Sequence, residues 1–405
     1  MLKTPVLFKK TMVIGILILV IGMGINSAGS KIVEKKSIKP NSSGNTLYVG
    51  GSGEGNYTKI QDAIDDAYDG DTVFVYDESS PYYELLVIDK SINLVGEDRN
   101  TTIIDGLKGN YTINILDNIN DVTITGFTLI KSEEPLYGAI KTYSNYNNIH
   151  NINIFDHQGI RVYGSIGNNI SNNMLVVNYG IIIYHSNENT IYNNYIISGS
   201  SGGIQLINSS NNIVSKNTVV DGRYGIHIGD ESENNHIKSN ILNNITYRCL
   251  TIDGNNNLIY NNIINNSDCG IALRSDSKNN DIYENEIKSC TKGVTLTGAE
   301  NNNINRNNIF ECNLGLFYSD YSIKNSIYEN NFIDNKNHGS WRVYLLEIPS
   351  KSLRNSWDRN YWGKSLFFPK FIKGYIVRHD MWYPYIELFP SFRIDWHPAK
   401  EPYDI

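Results

Sequence analysis

His227, Asp230, Asp253, Arg274 and Asp276 fall within one stretch of fifty residues in this 405-residue chain. An imidazole, a carboxylate and a guanidinium together make a workable acid/base set. The first two move protons, and the third steadies a negative charge on substrate or intermediate. Paired carboxylates flanking a glycosidic bond do related work. His227, Asp253 and Arg274 are therefore the candidate catalytic residues for lyase, hydrolase or epimerase chemistry on a polysaccharide. Adjacent carboxylates such as Asp230 and Asp276 could also meet a ligand or hold Ca²⁺. The plainer alternative is a solvated row of turn aspartates with one surface ion pair, which contributes little. Either chemistry requires residues 21 to 26 positions apart to come within roughly 5–10 Å of one another, which stacked strands achieve.

The chain supplies a period of the right length. NNLIYNNIINNSDCGIALRSDSK, residues 256–278, is followed by NNDIYENEIKSCTKGVTLTGAE, residues 279–300. An I/V-x-x-N step recurs with its asparagine at 173, 194, 217, 240, 262, 285, 307 and 330, spaced 21 to 23 apart. A second beat, a small residue before a short alternating run, starts at Gly159, Gly180, Gly203, Gly225, Cys249, Gly270, Gly293 and Gly315. No repeat contains a helical period, and the leucine frame of leucine-rich repeats is absent. The pattern predicts an all-β, single-stranded right-handed parallel β-helix with coils of about 22 residues. Asparagine suits the sharp corners of a coil because it tolerates the left-handed conformation. Its amide both donates and accepts, so equivalent asparagines can bond along the stack. The isoleucine column Ile170, Ile191, Val214, Ile237, Ile259, Ile282, Ile304 and Ile327 is expected to be core.

Stacking generates rows. Two and four positions past each glycine, side chains should point outward. The first row reads Arg161, Ile182, Gln205, His227, Thr251, Ala272, Thr295, Phe317; the second reads Tyr163, Tyr184, Ile207, Gly229, Asp253, Arg274, Thr297, Ser319. Tyr163 and Tyr184, one above the other, are candidate platforms for sugar rings, with surface packing the alternative. Tyr192, Tyr260, Tyr283 and Tyr328 form a second series on another face. Cys290 and Cys312 each stand three residues before their glycine, so stacking puts them inside the disulfide window. Cys249 and Cys269 are a second candidate pair, offset by one position. The alternative is four small buried residues.

The ends differ from the middle. Lys3, Lys9 and Lys10 precede the apolar run Thr11–Ile25 and the small polar group Asn26–Ser30. This reads as a secretory signal peptide, residues 1–30, with residues 31–45 as a linker; an uncleaved anchor would be the one route to a membrane. The reading implies a secreted or cell-surface location. Loss of those three lysines takes the formal charge from −7 to −10. That opposes nucleic-acid binding, which needs phosphates neutralised by Lys and Arg, and disfavours bare polyuronates unless metal ions bridge the like charges. Residues 57–68 (YTKIQDAIDDAY) carry helical spacing and are expected to lid the N-terminal edge of a solenoid spanning 46–345. Residues 346–405, aromatic and proline-rich, read as a C-terminal cap; an aromatic platform for sugars is the sharper alternative. His379–Asp380 and Asp395-x-His397 are weak metal-ligand candidates.

TKIQDAIDDAYDGDTVFVYD, VIDKSINLVGEDRNTTIIDG, the N-x-I-x-x-N coils and NSWDRNYWG resemble the NosD-like right-handed β-helix proteins. These belong to the wider carbohydrate-binding and sugar-hydrolase, pectin-lyase-like group, and the ending DWHPAKEPYDI looks like an archaeal secreted branch. The resemblance covers residues 46–405. It implies the fold, and a function among binding, polysaccharide chemistry and, as for NosD itself, maturation of a copper enzyme. The GHG and RIK motifs of polygalacturonases, the DPHD of alginate epimerases and the glycine-rich calcium nonapeptide are absent. No copper set stands out, since only Met174 and Met381 remain beyond the signal segment. The first expectation is a secreted protein that binds a polysaccharide or glycan without catalysis. The others are an enzyme using His227, Asp253 and Arg274, and a NosD-like accessory protein or interaction scaffold. No cofactor is firmly implied beyond Ca²⁺ at the carboxylates, and no protein partner is named by the sequence.

Overall fold

The run Asn168–Asn194 shows the repeating unit. Asn169–Ser171, Met174–Val177 and Tyr179–Tyr184 are three short strands that make one coil. Each pairs in parallel with its counterpart one coil on: Thr190–Tyr192, Tyr195–Ser198 and Gly202–Ile207. Repetition from Thr46–Val49 to Ser356–Asp358 builds three stacks of parallel strands, the right-handed parallel β-helix that the period predicts. The computed structural model describes residues 44–106, 110–130, 138–155, 158–274, 277–319, 321–344, 354–378 and 386–405. All belong to one unit, Pro40–Ile405. The segment read as a signal peptide, most of the linker, Asp276, His379, Asp380 and Trp382 lie outside the described residues. Among the described residues no helix is long and apolar enough to cross a membrane.

Two buried columns of asparagine frame the first stack. In one, the amide of Asn240 takes hydrogen bonds from the backbone N–H and Nδ2 of Asn217 at 2.9 and 3.1 Å. It donates in turn to Oδ1 of Asn262 and to the carbonyl of Val214. The same pattern runs from Asn173 to Asn330 and continues to Asn360. The second column, five residues earlier in each coil, runs from Asn147 through Asn235 to Asn355. Between them the Ile170-to-Ile327 column points inward and is fully buried, each side chain contributing about 1.5–3 kcal/mol. The corners are a separate matter. Left-handed backbone falls on the residue before the column asparagines from Asn168 to Asn330. Asparagine takes it at 172, 193, 211, 234, 256, 261, 279 and 301, but Lys216, Ser239, Glu284, Arg306 and Glu329 adopt it equally, as does Arg359 before Asn360. Asparagine recurs in the columns because its amide is saturated, not because it turns the corner.

The glycine beat has a steric cause. A side chain on Gly180 would collide with the carbonyl of Gly203, and the same collision recurs at Gly159, Gly225, Gly270 and Gly293. Cys249 occupies that column, and there the register between the long strands Ile241–Ile252 and Ile263–Arg274 shifts between Ile245 and Arg248.

The ends are closed differently. A helix at Ile60–Asp66, shorter than the expected 57–68, buries Ile60, Ala63 and Ile64 against the first coils. Glu84 accepts from the N–H groups of Ile60 and Gln61 at the start of that helix. At the other end the solenoid passes the expected limit of 345. Asn355 and Asn360 are further rungs, and Ser356–Asp358 pairs with Ser326–Tyr328. An antiparallel hairpin, Lys370–Arg378 with Ile386–Asp395, then follows the last parallel strand. Trp341, Trp357 and Trp362 are buried in the core under it, so three of the five tryptophans cap the solenoid rather than face solvent; Trp396 is exposed.

Asp395 ends the asparagine column. Its Oδ2 accepts from Asn360 N at 3.0 Å, Asn360 Nδ2 at 3.2 Å and the Trp362 indole at 3.1 Å. Oδ1 accepts from the N–H groups of Arg359 and His397. A column whose rungs all donate toward the C-terminus needs only acceptors at its end, and a carboxylate is an acceptor-only group.

Asn240→Ala strands the N–H of Asn217 and the carbonyl of Val214. At ~1–3 kcal/mol for each buried unsatisfied group, the expected loss is roughly 2–6 kcal/mol. Hydrogen exchange should show faster opening in the coils on either side and unchanged protection in distant coils, because solenoid coils couple to neighbours; unchanged protection at Asn217 would contradict the ladder's role. Asp395→Ala should fray the last coil, seen as faster exchange at Arg359 and Asn360, whereas Asp395→Asn, which keeps an acceptor, should fray it less.

Candidate functional site

The exterior of the third stack carries the expected rows in the expected order. Register sets Arg161 against Ile182, Ile182 against Gln205, Gln205 against His227 and His227 against Thr251. Thr251, Ala272, Thr295 and Phe317 continue the row. Strand alternation holds Ile226, Ile228, Leu250 and Ile252 in the core and turns His227 out, whereas Ile182, Thr251 and Ala272 of the same row are buried. One coil must run long to bring Asp253 beside His227, and the shift at Ile245/Arg248 accommodates it.

The candidate trio comes together. His227 Nε2 lies 3.0 Å from Asp253 Oδ2, and Arg274 Nε lies 3.8 Å from Asp253 Oδ1. The Asp253 side chain is only 11 % exposed, while those of His227 and Arg274 are 32 % and 38 % exposed. Asp253 Oδ1 has no hydrogen-bond partner. A carboxylate in this position orients the imidazole and leaves its far nitrogen to exchange a proton. Asp230 is exposed on the turn after the His227 strand and bonds to none of the three. With Asp276 outside the described residues, the carboxylates offered for Ca²⁺ reduce to Asp230 and Asp253. Among the described residues no group of three or more His, Cys, Asp or Glu converges as a metal site.

The tyrosine row is longer than the sequence indicated. Tyr143 stacks on Tyr163 with centroids 5.2 Å apart, and Tyr163 meets Tyr184 edge-on at 6.0 Å. Tyr143 and Tyr184 are 42 % and 38 % exposed. Tyr143 escaped notice because its coil has Ala139 where later coils have glycine, so the beat is silent there. Lys141 Nζ sits 4.4 Å from the centre of the Tyr143 ring, and Arg161 packs over Tyr179 while donating to Gln158. Burial, and then neighbouring Tyr163, pushes the Tyr111 hydroxyl up to about 12, so it stays protonated beside this row. In the second tyrosine series, Tyr260 and Tyr283 stack at 5.0 Å on the first stack.

The four cysteines are buried free thiols. Cys290 Sγ donates to the carbonyl of Lys288 and Cys312 Sγ to that of Phe310, and interaction with Cys312, then burial, raises the Cys290 pKa and keeps its thiol protonated. Cys269 is set against Arg248, one position off Cys249. Burial pushes Cys249 up to about 12 and Cys269 up to about 11, which leaves them poor nucleophiles. Cys312 also borders a cavity of about 620 Å³ with His338 and Trp362, near the C-terminal end and several coils from the trio. Burial lowers the His338 pKa, favouring the neutral ring. Of the tail's metal candidates, Asp395 serves the column, and His397 Nδ1 pairs with Asp358 at 2.8 Å.

No curated protein matches the chain. Among solved structures, DFA-IIIase from Arthrobacter chlorophenolicus A6 without its lid is 12 % identical, covers 80 % of this chain and 100 % of its own, and superposes with a TM-score of 0.55. The Dettilon tailspike protein is also 12 % identical, covering 83 % of this chain and 74 % of its own at a TM-score of 0.50. At such identities the likeness is one of fold. In sequence, residues 64–248 and 196–344 match the family described as "Periplasmic copper-binding protein (NosD)". Those matches span more than half of the chain, and the protein that carries this ladder and this sheet face belongs to the NosD family.

Proposed function

We propose that this is a secreted or cell-surface β-helix protein that binds carbohydrate along the exterior of its third strand stack without transforming it. The signal peptide at residues 1–30 is part of that reading. The observation that carries it is the column Tyr143, Tyr163 and Tyr184, in which Tyr143 and Tyr184 are exposed and Tyr163 between them is half-buried. Aromatic faces spaced along a rigid rod suit the apolar faces of successive sugars. The solved neighbour DFA-IIIase has been crystallised in complex with DFA-III and with GF2; that is a property of that enzyme, and it lends the reading only the support of a shared fold.

A second reading, a polysaccharide-active enzyme, is favoured by the one-sided contacts of Asp253: one oxygen holds His227, and the other faces Arg274 without a hydrogen bond. The family description names copper, whose usual ligands are thiolate, thioether and imidazole. The described residues do not fit it: no set of three or more His, Cys, Asp or Glu converges. No copper step is assigned to them.

The test is retention and product release on a panel of polysaccharides, with and without Ca²⁺. Tyr163→Ala and Tyr184→Ala should each weaken retention about 3- to 10-fold, as expected for one aromatic contact of ~0.5–1.5 kcal/mol; wild-type retention by both would overturn the tyrosine platform. New reducing or unsaturated ends, lost in Asp253→Asn, would replace binding with catalysis. Absence of product from wild type is the result the binding reading expects.

A further inference from the structure

Several cations elsewhere on the solenoid are paired with carboxylates. Lys278 and Lys324 both hold Glu300 at 3.0 Å, Arg306 pairs with Glu284, and Arg359 pairs with Glu329. Others rest on tyrosines: Lys216 and Lys238 of the first stack lie over Tyr192 and Tyr260, and on the third stack, where Arg274 is paired with Asp253, four further cations do so in two pairs. Lys141, Arg161, Arg223 and Arg248 form no ion pair with any described residue, and each lies against tyrosine rings instead. Lys141 is in register with Arg161. Arg248 is in register with Tyr224, and its guanidinium lies 4.3 Å from the Tyr247 ring centre, with Arg223 5.8 Å from the same ring. A tyrosine face attracts a cation without neutralising it, so these groups keep their charge available for a ligand.

Their placement sets the ligand's length. The row from Arg161 passes Ile182, Gln205 and His227 to reach Thr251, in the coil of Arg248. Four steps of about 4.8 Å put the two cationic pairs roughly 19 Å apart along the rod. Tyr184 lies between them. Beside Arg223 and Tyr247 opens a pocket of about 410 Å³, whose lining includes Thr246 and Asp221; that is room for one ring or its substituent. An anion that meets both pairs must be a polymer.

We propose that the ligand of this face is an acidic polysaccharide, its carboxylate or sulfate groups held by Lys141 with Arg161 and by Arg223 with Arg248, its sugar rings laid on Tyr163 and Tyr184. This rests on the carbohydrate reading and adds the charge of the ligand. The negative net charge of the chain is no bar. Exposed charges farther than about 8 Å are largely screened at physiological salt, whereas cations in contact with the ligand are screened much less.

The probes are polygalacturonate, dextran sulfate and neutral dextran, each titrated against the full-length protein in chelator-containing buffer. The acidic polymers should bind at least tenfold more tightly than dextran, and binding should weaken as salt rises. Lys141→Gln/Arg161→Gln and Arg223→Gln/Arg248→Gln should each lower affinity for the acidic polymer about tenfold or more, the scale of hydrogen bonds to charged groups, with melting unchanged. Lys141→Glu alone should weaken it as well, which guards against a double variant that folds poorly. The tighter of the two acidic polymers names the anion as carboxylate or sulfate. Dextran bound as tightly as the acidic polymers, or wild-type affinity in the glutamine variants, overturns the charge inference and leaves carbohydrate binding standing. No polysaccharide bound at all overturns both.

Discussion

The constraint on which this structure depends is that a carboxamide buried between coils must both give and take hydrogen bonds. Asn217 donates through its N–H and Nδ2 to Asn240 Oδ1, and its own Oδ1 accepts the same two bonds from Asn194. Aspartate at an interior rung would have no donor and would stack charge on charge; glutamine would be a methylene too long. The period of 21 to 23 residues is therefore held by the requirement that each rung meet the next. Residues outside the rungs are free to vary, and the left-handed corners show it, since lysine, glutamate and arginine occupy them at some cost in backbone strain.

That rigidity makes the outer face chemically addressable. Rungs in register force strands into register, and strands in register line up every second outward side chain along the rod. The His227–Asp253 contact spans 26 residues of sequence, and the Asp253–Arg274 approach spans 21, yet both link neighbouring coils. The difference is absorbed at the shift between Ile245 and Arg248, beside the cysteine that interrupts the glycine column. A bulge next to the charged cluster re-aims side chains that a regular coil would have placed elsewhere.

What could be read from the sequence was whatever repeats. The coil length, the Asn173-to-Asn330 column, the inward isoleucines and the register of both rows follow from the period alone, though not the burial of Ile182, Thr251, Ala272 and Ser319 within those rows. The Asn147-to-Asn355 column was hidden in plain view, because the paired asparagines of NNISNN blur which members are rungs and which are corners. The last coil was missed because NSWDRN carries tryptophan for isoleucine and follows an eight-residue longer interval from Asn330 than the repeat allows. Asp395 is not legible locally at all: it terminates a column built from residues 35 positions and more away, and only stacking reveals that its two oxygens answer the donors of Asn360 and Trp362. Tyr143, Lys141 and the unpaired arginines belong to a face whose composition departs from that of the whole chain, which an overall charge conceals.

The family and the face speak to different properties of the molecule. The family match spans the coils, whose repeated asparagines, glycines and isoleucines make the fold. These hold the coils in place whatever the outward positions contain, so a match across residues 64–344 constrains function weakly. The outward positions are where selection for a ligand can act without disturbing a rung. In this chain they carry tyrosines and four cations that have no carboxylate partner among the described residues and that gather in two pairs along one face. Two tyrosine-backed cation pairs spaced along the rod point to a long, negatively charged ligand lying along the axis that the ladder defines.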